Sequence, residues 1–206
     1  KQKTAYEIST RDWSSDVCSS DLDTSSPRAT LRSFRETVDA VAAIIRAEGA
    51  AARRRPETSL LVRKGLTCLD LSAFAPSLAL PEGSRAAVCL KEVLDRIPLP
   101  ADADIPDAAA VQAASLKRWR IPGTEIFLSR ITEGNRDGDF VFSADSVANA
   151  KHFYDRVRGL PYRHDAGSRG LLESYVESGG WMIPESLIRS LPRWAHALVE
   201  IGRAHV

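Results

Sequence analysis

"LKRWRIPGTEIFLSRITEGNRDGDFVFS", residues 116–143, is where the chain changes from helix-like to strand-like composition. Its short runs are rich in β-branched and aromatic residues, and they are separated by "PG" and "EGNRDG". Such Gly-containing separators are typical of turns between strands. The pattern predicts a three-stranded antiparallel meander, with Asn135 and Gly138 in its second turn.

The sequence before this meander has helical periodicity. Ser26 followed by Pro27 predicts a helix start, and apolar residues then recur at three- and four-residue steps as far as Gly49. Further helices are expected over 58–69, over 84–97 with Ser84 as the N-cap, and over 107–114.

The sequence after the meander is also helix-like. Ser143 and Asp145 predict the cap of one helix in "ADSVANAKHFYDRVRGL", residues 144–160, and more helices are expected in 171–178 and 184–199. The predicted fold class is therefore α+β, mostly helical with one small sheet. Its parts are a helical region over 27–115, the β-meander over 116–143, and a second helical region over 144–199.

The two ends of the chain are expected to lie outside the fold. "DVCSSDL", residues 16–22, and "EIGRAHV", residues 200–206, can be encoded by one DNA sequence read from opposite strands. That DNA resembles the adapter ligated to fragments in short-read sequencing libraries, and "KQKTAYEI", residues 1–8, reads as the matching primer. We therefore interpret residues 1–22 and 200–206 as translated adapter, and residues 23–199 as a protein segment truncated at both ends.

Composition argues against two classes of partner. The 206 residues contain 28 Lys and Arg against 27 Asp and Glu, a net charge of +1. A near-neutral balance predicts no broad attraction to nucleic acid or to a membrane surface. No apolar run approaches the roughly 18 to 20 residues of a membrane span.

No catalytic signature is present. The sequence lacks a Gly-rich phosphate loop after a strand, a GxSxG elbow and an HExxH helix. The best metal candidate gathers His152, Asp155, His164 and Asp165, because His152 and Asp155 lie three residues apart on a predicted helix. An exposed helix face commonly carries such residues, so we predict no catalytic residue, no cofactor and no metal. The alternative is a soluble enzyme or ligand-binding domain with a metal site around His152, Asp155 and His164.

The cysteines Cys68 and Cys89 lie in apolar, helix-like runs, which predicts buried thiols. A disulfide between them is the alternative, and it requires an oxidising compartment.

Several stretches together resemble a known family. They are "DTSSPRATL" at 23–31, "LKEVLDRIPLP" at 90–100 followed by "IPD" at 105–107, "RWRIPGTEI" at 118–126, "FVFSADSV" and "FYDRVRGLPY" between 140 and 162, and "GWMIPESLIRSLPRWA" at 180–195. In this order they resemble the extramembrane N-terminal region of bacterial mechanosensitive ion channels related to the small-conductance channel.

The resemblance implies a non-catalytic periplasmic domain of a bacterial inner membrane protein. Its expected partners are the membrane helices and channel domain of the same full-length protein, and a homo-oligomer would form through that channel part. No gating residue can be assigned, because the pore helix has no counterpart in this chain. Trp194 followed by "AHALV" predicts insertion into a bilayer soon after Val199. The basic run Arg53, Arg54 and Arg55 predicts a solvated turn or, alternatively, a patch that meets anionic headgroups.

Overall fold

The computed structural model describes residues 22–49, 52, 55–163 and 169–177. In these residues seven α-helices accompany one three-stranded sheet. In chain order the elements are α1 (Pro27–Glu48), α2 (Pro56–Leu66), α3 (Ala79–Leu94), α4 (Ala108–Ala113), β1 (Arg118–Arg120), β2 (Phe127–Arg130), β3 (Phe140–Phe142), α5 (Ala144–Ala148), α6 (Ala150–Val157) and α7 (Leu171–Glu177). The predicted α+β class with mostly helical content is confirmed. Of the two flanks only Leu22 is described, and it packs half-buried against the core, although the prediction places residues 1–22 outside the fold. Residues 1–21 and 200–206 and the helix expected over 184–199 lie outside the described residues.

Helix α1 begins and ends where its sequence predicts. Ser26 has extended backbone angles and its hydroxyl accepts a hydrogen bond from the Ala29 N–H at 3.2 Å. Pro27 occupies the first helical position, where its missing N–H costs nothing. Gly49 ends the helix with φ at 82°, and its N–H bonds to the Ile45 carbonyl.

Helix α3 begins five residues earlier than predicted, and Ser84 is not its N-cap. The helix begins at Ala79 after Leu78, which provides no side-chain cap. Pro81 falls in the first turn, where N–H groups have no helical partner, so proline does not interrupt the helix. Ser84 lies inside the helix and its hydroxyl donates to the Leu80 carbonyl at 2.7 Å.

The sheet is the predicted antiparallel meander, in the order β1-β2-β3. Trp119 lies opposite Leu128, and Leu128 lies opposite Phe142. The turns need the left-handed backbone that glycine adopts easily, with φ at 73° for Gly123 and 98° for Gly138. On the far side of β3, Leu69 forms an isolated parallel bridge with Phe142.

The predicted single helix over 144–160 is divided into α5 and α6 at Asn149. The backbone of Asn149 leaves the helical region, with φ at −93° and ψ at 6°. The Asn149 side-chain amide donates to the Asp145 carbonyl at 2.8 Å, which is the local bonding by which asparagine competes with a helix. The Ser143 cap is confirmed, because its hydroxyl accepts from the Ser146 N–H at 3.3 Å.

The core lies between α1, the sheet and α3. Phe34 of α1 meets Phe142 of β3 edge to face, with ring centroids 5.0 Å apart. Every residue of α3 from Ala86 to Leu94 is buried, and this helix contacts α1, α2, α5, α6 and α7. Helix α3 is therefore central, and its polar residues Lys91 and Glu92 lie in the interior.

Candidate functional site: a buried charge network on helix α3

Of the residues predicted as a possible metal site, the structure describes His152 and Asp155, and Asp155 forms an ordinary surface ion pair. His152 and Asp155 are exposed on α6. Both carboxylate oxygens of Asp155 accept from the Lys151 ammonium at 2.8 Å. His164 and Asp165 lie outside the described residues. Within 22–49, 52, 55–163 and 169–177, no group of three or more His, Cys, Asp or Glu side chains is placed to hold a metal ion.

Cys68 and Cys89 are both buried, as their apolar surroundings in the sequence predict, and they form no disulfide with each other. Burial raises the pKa of Cys68 to about 12. A thiol is the weak form of this nucleophile, so Cys68 is inert at neutral pH.

Lys91 is the first member of a buried charge network on α3. Its side chain is 1% exposed, and its ammonium lies 2.7 and 2.6 Å from the two carboxylate oxygens of Asp95. The same ammonium lies 2.9 Å from Oδ1 of Asp39 on α1. Lys91 therefore joins α3 to α1 through charge-assisted contacts.

Glu92 points toward α7. Its side chain is 2% exposed, and its Oε1 accepts from the Leu171 backbone N–H at 2.8 Å. Its Oε2 accepts from the Tyr162 hydroxyl at 2.8 Å and also pairs with the Arg96 guanidinium. Glu92 thereby supplies a partner to the first turn of α7, whose N–H groups have none within the helix.

Arg96 and Tyr162 complete the network. The guanidinium carbon of Arg96 lies 3.9 Å from the Tyr162 ring centroid and 5.7 Å from that of Tyr154, which is cation–π geometry. The Tyr162 hydroxyl also accepts from the Gly170 N–H at 2.8 Å. Burial raises the pKa of Tyr162, and its hydrogen bond to Glu92 acts in the same direction, so the ring carries a neutral phenol.

These side chains perform a structural task. A general acid or base must come within hydrogen-bond reach of a substrate. Lys91, Glu92 and Arg96 are buried, and their charged groups bond to neighbouring residues of the fold. The network holds α1, α7 and the segment around Tyr162 against one central helix.

Sequence reasoning did not identify this network, although a local signal is present. In "KEVLDR" two opposite-charge pairs interleave at a spacing of four, Lys91 with Asp95 and Glu92 with Arg96. On an exposed helix such pairs are common and weak. What the pattern lacks is any sign that other elements cover both faces of the helix.

A polar cleft of about 810 Å³ lies between the end of α2 and the β2–β3 hairpin. Its lining includes both arginine and acidic side chains, among them Arg63, Asp70, Arg130 and Asp139. Arg136 bonds to Asp139 at 2.9 Å and to the Thr67 carbonyl at 2.8 Å. This mixture of charges favours no single class of ligand.

The other candidate residues of the sequence are only partly described. Trp194, Arg53 and Arg54 lie outside the described residues. Arg55 is exposed and pairs with Glu48.

No helix in the described part of the chain is both long enough and apolar enough to span a bilayer. No family model, curated protein or solved structure matches the chain.

Proposed function

We propose that this chain is a non-catalytic extramembrane domain of a bacterial mechanosensitive ion channel, placed on the periplasmic side of the inner membrane. It would precede the membrane helices and the channel domain of the same protein, which are its proposed partners. Homo-oligomerisation would take place through the channel part. The proposal rests on the colinear resemblance over 23–195 and on what the resembling residues do in the fold.

The main support for the proposal is that the stretches that resemble the family contact one another in the folded domain. Lys91, Glu92 and Arg96 belong to "LKEVLDRIPLP", and the aromatic rings over Arg96 belong to "FYDRVRGLPY". A domain whose most distinctive residues hold its helices together is suited to a scaffolding role.

A second pair of stretches meets in the same way. Arg28 of "DTSSPRATL" donates from Nε to the Ile105 carbonyl at 2.9 Å and pairs with Asp107 at 3.3 Å, both within "IPD". The residues in the stretches that resemble the family thus have a role in packing the domain, and this role requires no substrate. This supports the domain reading over the enzyme alternative.

The test is the uninterrupted gene beyond Val199, read from an adapter-free library. We expect a hydrophobic segment of about 20 residues soon after this point, then further spans and a channel domain. A stop codon or a polar soluble domain there would contradict the channel assignment. In the intact protein, a reporter enzyme that is active only in the periplasm, fused ahead of Asp23, should be active.

A further inference from the structure

A cleft of about 300 Å³, which we call the α1 cleft, lies between the first half of α1 and the segment that follows α3. Three arginines of α1 line it, Arg28, Arg32 and Arg35. Spacings of four and three residues place them on one face of the helix. Leu99 and Ile105 form an aliphatic wall on the other side. The cleft therefore combines a row of guanidinium groups with apolar surface.

The first two arginines are bound by the fold itself. Arg28 donates from Nε to the Ile105 carbonyl at 2.9 Å and pairs with Asp107 at 3.3 Å. Arg32 donates to the carboxylate of Asp102 at 2.8 Å. Both side chains thus attach α1 to the segment after α3, and contacts within the domain account for their guanidinium groups.

Arg35 differs from these two neighbours. Its Nε is shielded from solvent, and no residue that the structure describes accepts a hydrogen bond from it. The acid four residues later, Asp39, lies 2.9 Å from the ammonium of Lys91. A buried donor without an acceptor is costly, and such groups in folded proteins are usually satisfied by an ordered water or a bound ion. The Nε–H of Arg35 is therefore a donor that a ligand in the α1 cleft can use.

The acidic residues of the cleft limit what this ligand can be. The carboxylates of Glu36, Asp39 and Asp102 line it together with the arginines. They would repel a phosphate, which carries more than one negative charge at neutral pH, more strongly than an anion of single charge. A carboxylate carries one charge, and its two oxygens match the fork of a guanidinium group. The aliphatic wall suits a short apolar body attached to that carboxylate.

We propose that the α1 cleft binds a small monocarboxylate with a short aliphatic body, and that Arg35 recognises its charge. Binding does not depend on the channel assignment. A ligand held between α1 and the segment after α3 stabilises the folded state by mass action. If the proposed function also holds, the site would make the stability of the extramembrane domain respond to a solute.

The test follows the Nε–H resonance of Arg35 in ¹H–¹⁵N correlation spectra of the full 206-residue chain. The resonance is assigned by its loss in Arg35→Lys. Sodium propionate is the probe, and sodium phosphate and sodium chloride at equal ionic strength are the comparisons. We expect a saturable shift of this resonance with propionate, and only a small, non-saturating shift with the other two salts.

Arg35→Lys also tests the role of the side chain, because lysine keeps the positive charge but lacks the guanidinium fork. Propionate affinity, measured from the backbone amide shifts of Leu99 and Ile105, should fall about tenfold. Arg158→Lys is the matched control, since Arg158 is exposed at the end of α6 and outside the cleft. It should leave the affinity unchanged. The remaining amide resonances verify that each variant is folded.

Three results would overturn the proposal. A Nε–H resonance without a saturable response to propionate would indicate that water alone satisfies Arg35. Equal propionate affinity in Arg35→Lys would mean that this side chain does not recognise the ligand, and tighter binding of phosphate would refute a carboxylate site. The gene beyond Val199 decides the channel assignment and has no bearing on these spectra, so the two proposals fail separately.

Discussion

The carboxylate of Glu92 accepts a hydrogen bond from the backbone N–H of Leu171 at 2.8 Å, although 79 residues separate the two in the chain. Most helices are capped by a side chain next to their own first turn. Helix α7 instead receives its partner from Glu92 in the last turn of α3. One buried side chain of another helix therefore contributes to the attachment of α7, together with the buried Leu171 and Leu172.

Replacing Glu92 with alanine should release α7 from α3. The change leaves the Arg96 guanidinium without its carboxylate and the Leu171 N–H without its acceptor, and breaking a buried pair costs about 3–5 kcal/mol. Urea unfolding should show this loss in the free energy of unfolding. Hydrogen exchange at Leu171 should accelerate more than exchange in α1.

Glu92→Gln provides a finer comparison. The amide keeps the size of the side chain and one oxygen to accept from Leu171, but it loses the charge that pairs with Arg96. We expect a smaller loss of stability than for alanine, with partial protection at Leu171. If Glu92→Ala leaves the exchange at Leu171 unchanged, the proposed attachment is wrong.

Two lysines allow the effect of burial to be isolated. Lys91 and Lys151 each pair with an aspartate four residues later on a helix, but their side chains are 1% and 40% exposed, respectively. We expect Lys91→Met to cost about 3–5 kcal/mol, because it removes the ammonium group from the buried carboxylate of Asp95. Lys151→Met should cost less than about 1 kcal/mol, the range of exposed pairs.

Chemical denaturation of both methionine variants at one pH and salt concentration measures this difference. Added salt should weaken the contribution of Lys151 more than that of Lys91, since solvent ions screen exposed pairs. Equal losses in the two variants would show that burial of the Lys91 pair is unimportant.

Stability should fall in alkaline solution, in part through Tyr162. Burial raises the pKa of this phenol above its ordinary value of 10.0, so the fold favours the neutral form. The contribution is fully present below the unfolded pKa and is lost as the pH rises through the folded pKa. Cys68, with its pKa raised from 9.0 to about 12, acts in the same direction.

Tyr162→Phe tests this contribution. Phenylalanine keeps the ring over Arg96 but cannot ionise, so the variant should be less stable at neutral pH and lose less stability between about pH 9 and 11. Urea midpoints across this range give the comparison. An alkaline slope identical to that of the parent chain would rule out a role for Tyr162.

Substitution of His152 should have little effect. The imidazole is exposed on α6, and the neighbouring Asp155 is engaged by Lys151, so His152→Ala should change the free energy of unfolding by less than about 0.5 kcal/mol. Elemental analysis of the purified chain should find no stoichiometric zinc. Zinc that is bound by the parent and lost in both His152→Ala and His164→Ala would favour the enzyme alternative.

Local signals predicted the parts of this fold that are determined locally. Ser26, Asp107 and Ser143 each cap a helix through their own side chain, and residues within three positions supply the donor. The meander could also be predicted from the sequence, because the turns between its strands depend on glycines.

The break at Asn149 is a local feature that the sequence prediction missed, whereas the other errors arise where contacts between distant parts of the chain determine the structure. Helix α3 begins at Ala79 without a side-chain cap, so nothing in the sequence marks its start, and Ser84 gives a misleading signal. The buried charges were missed for a related reason. Lys91 and Glu92 are interior because α1 and α7 cover them, and those elements come from positions 39 and 171 of the chain.

The contacts between α1 and β3 determine when the fold can be completed during synthesis. The Thr30 hydroxyl donates to the Phe140 carbonyl at 2.8 Å across 110 residues. At about 5–20 residues per second, a ribosome needs roughly 5 to 20 seconds to make that stretch. Throughout this interval the nascent α1 exposes the face that later packs on β3, including Phe34. The emerging chain therefore offers a binding site for chaperones that the finished domain no longer has.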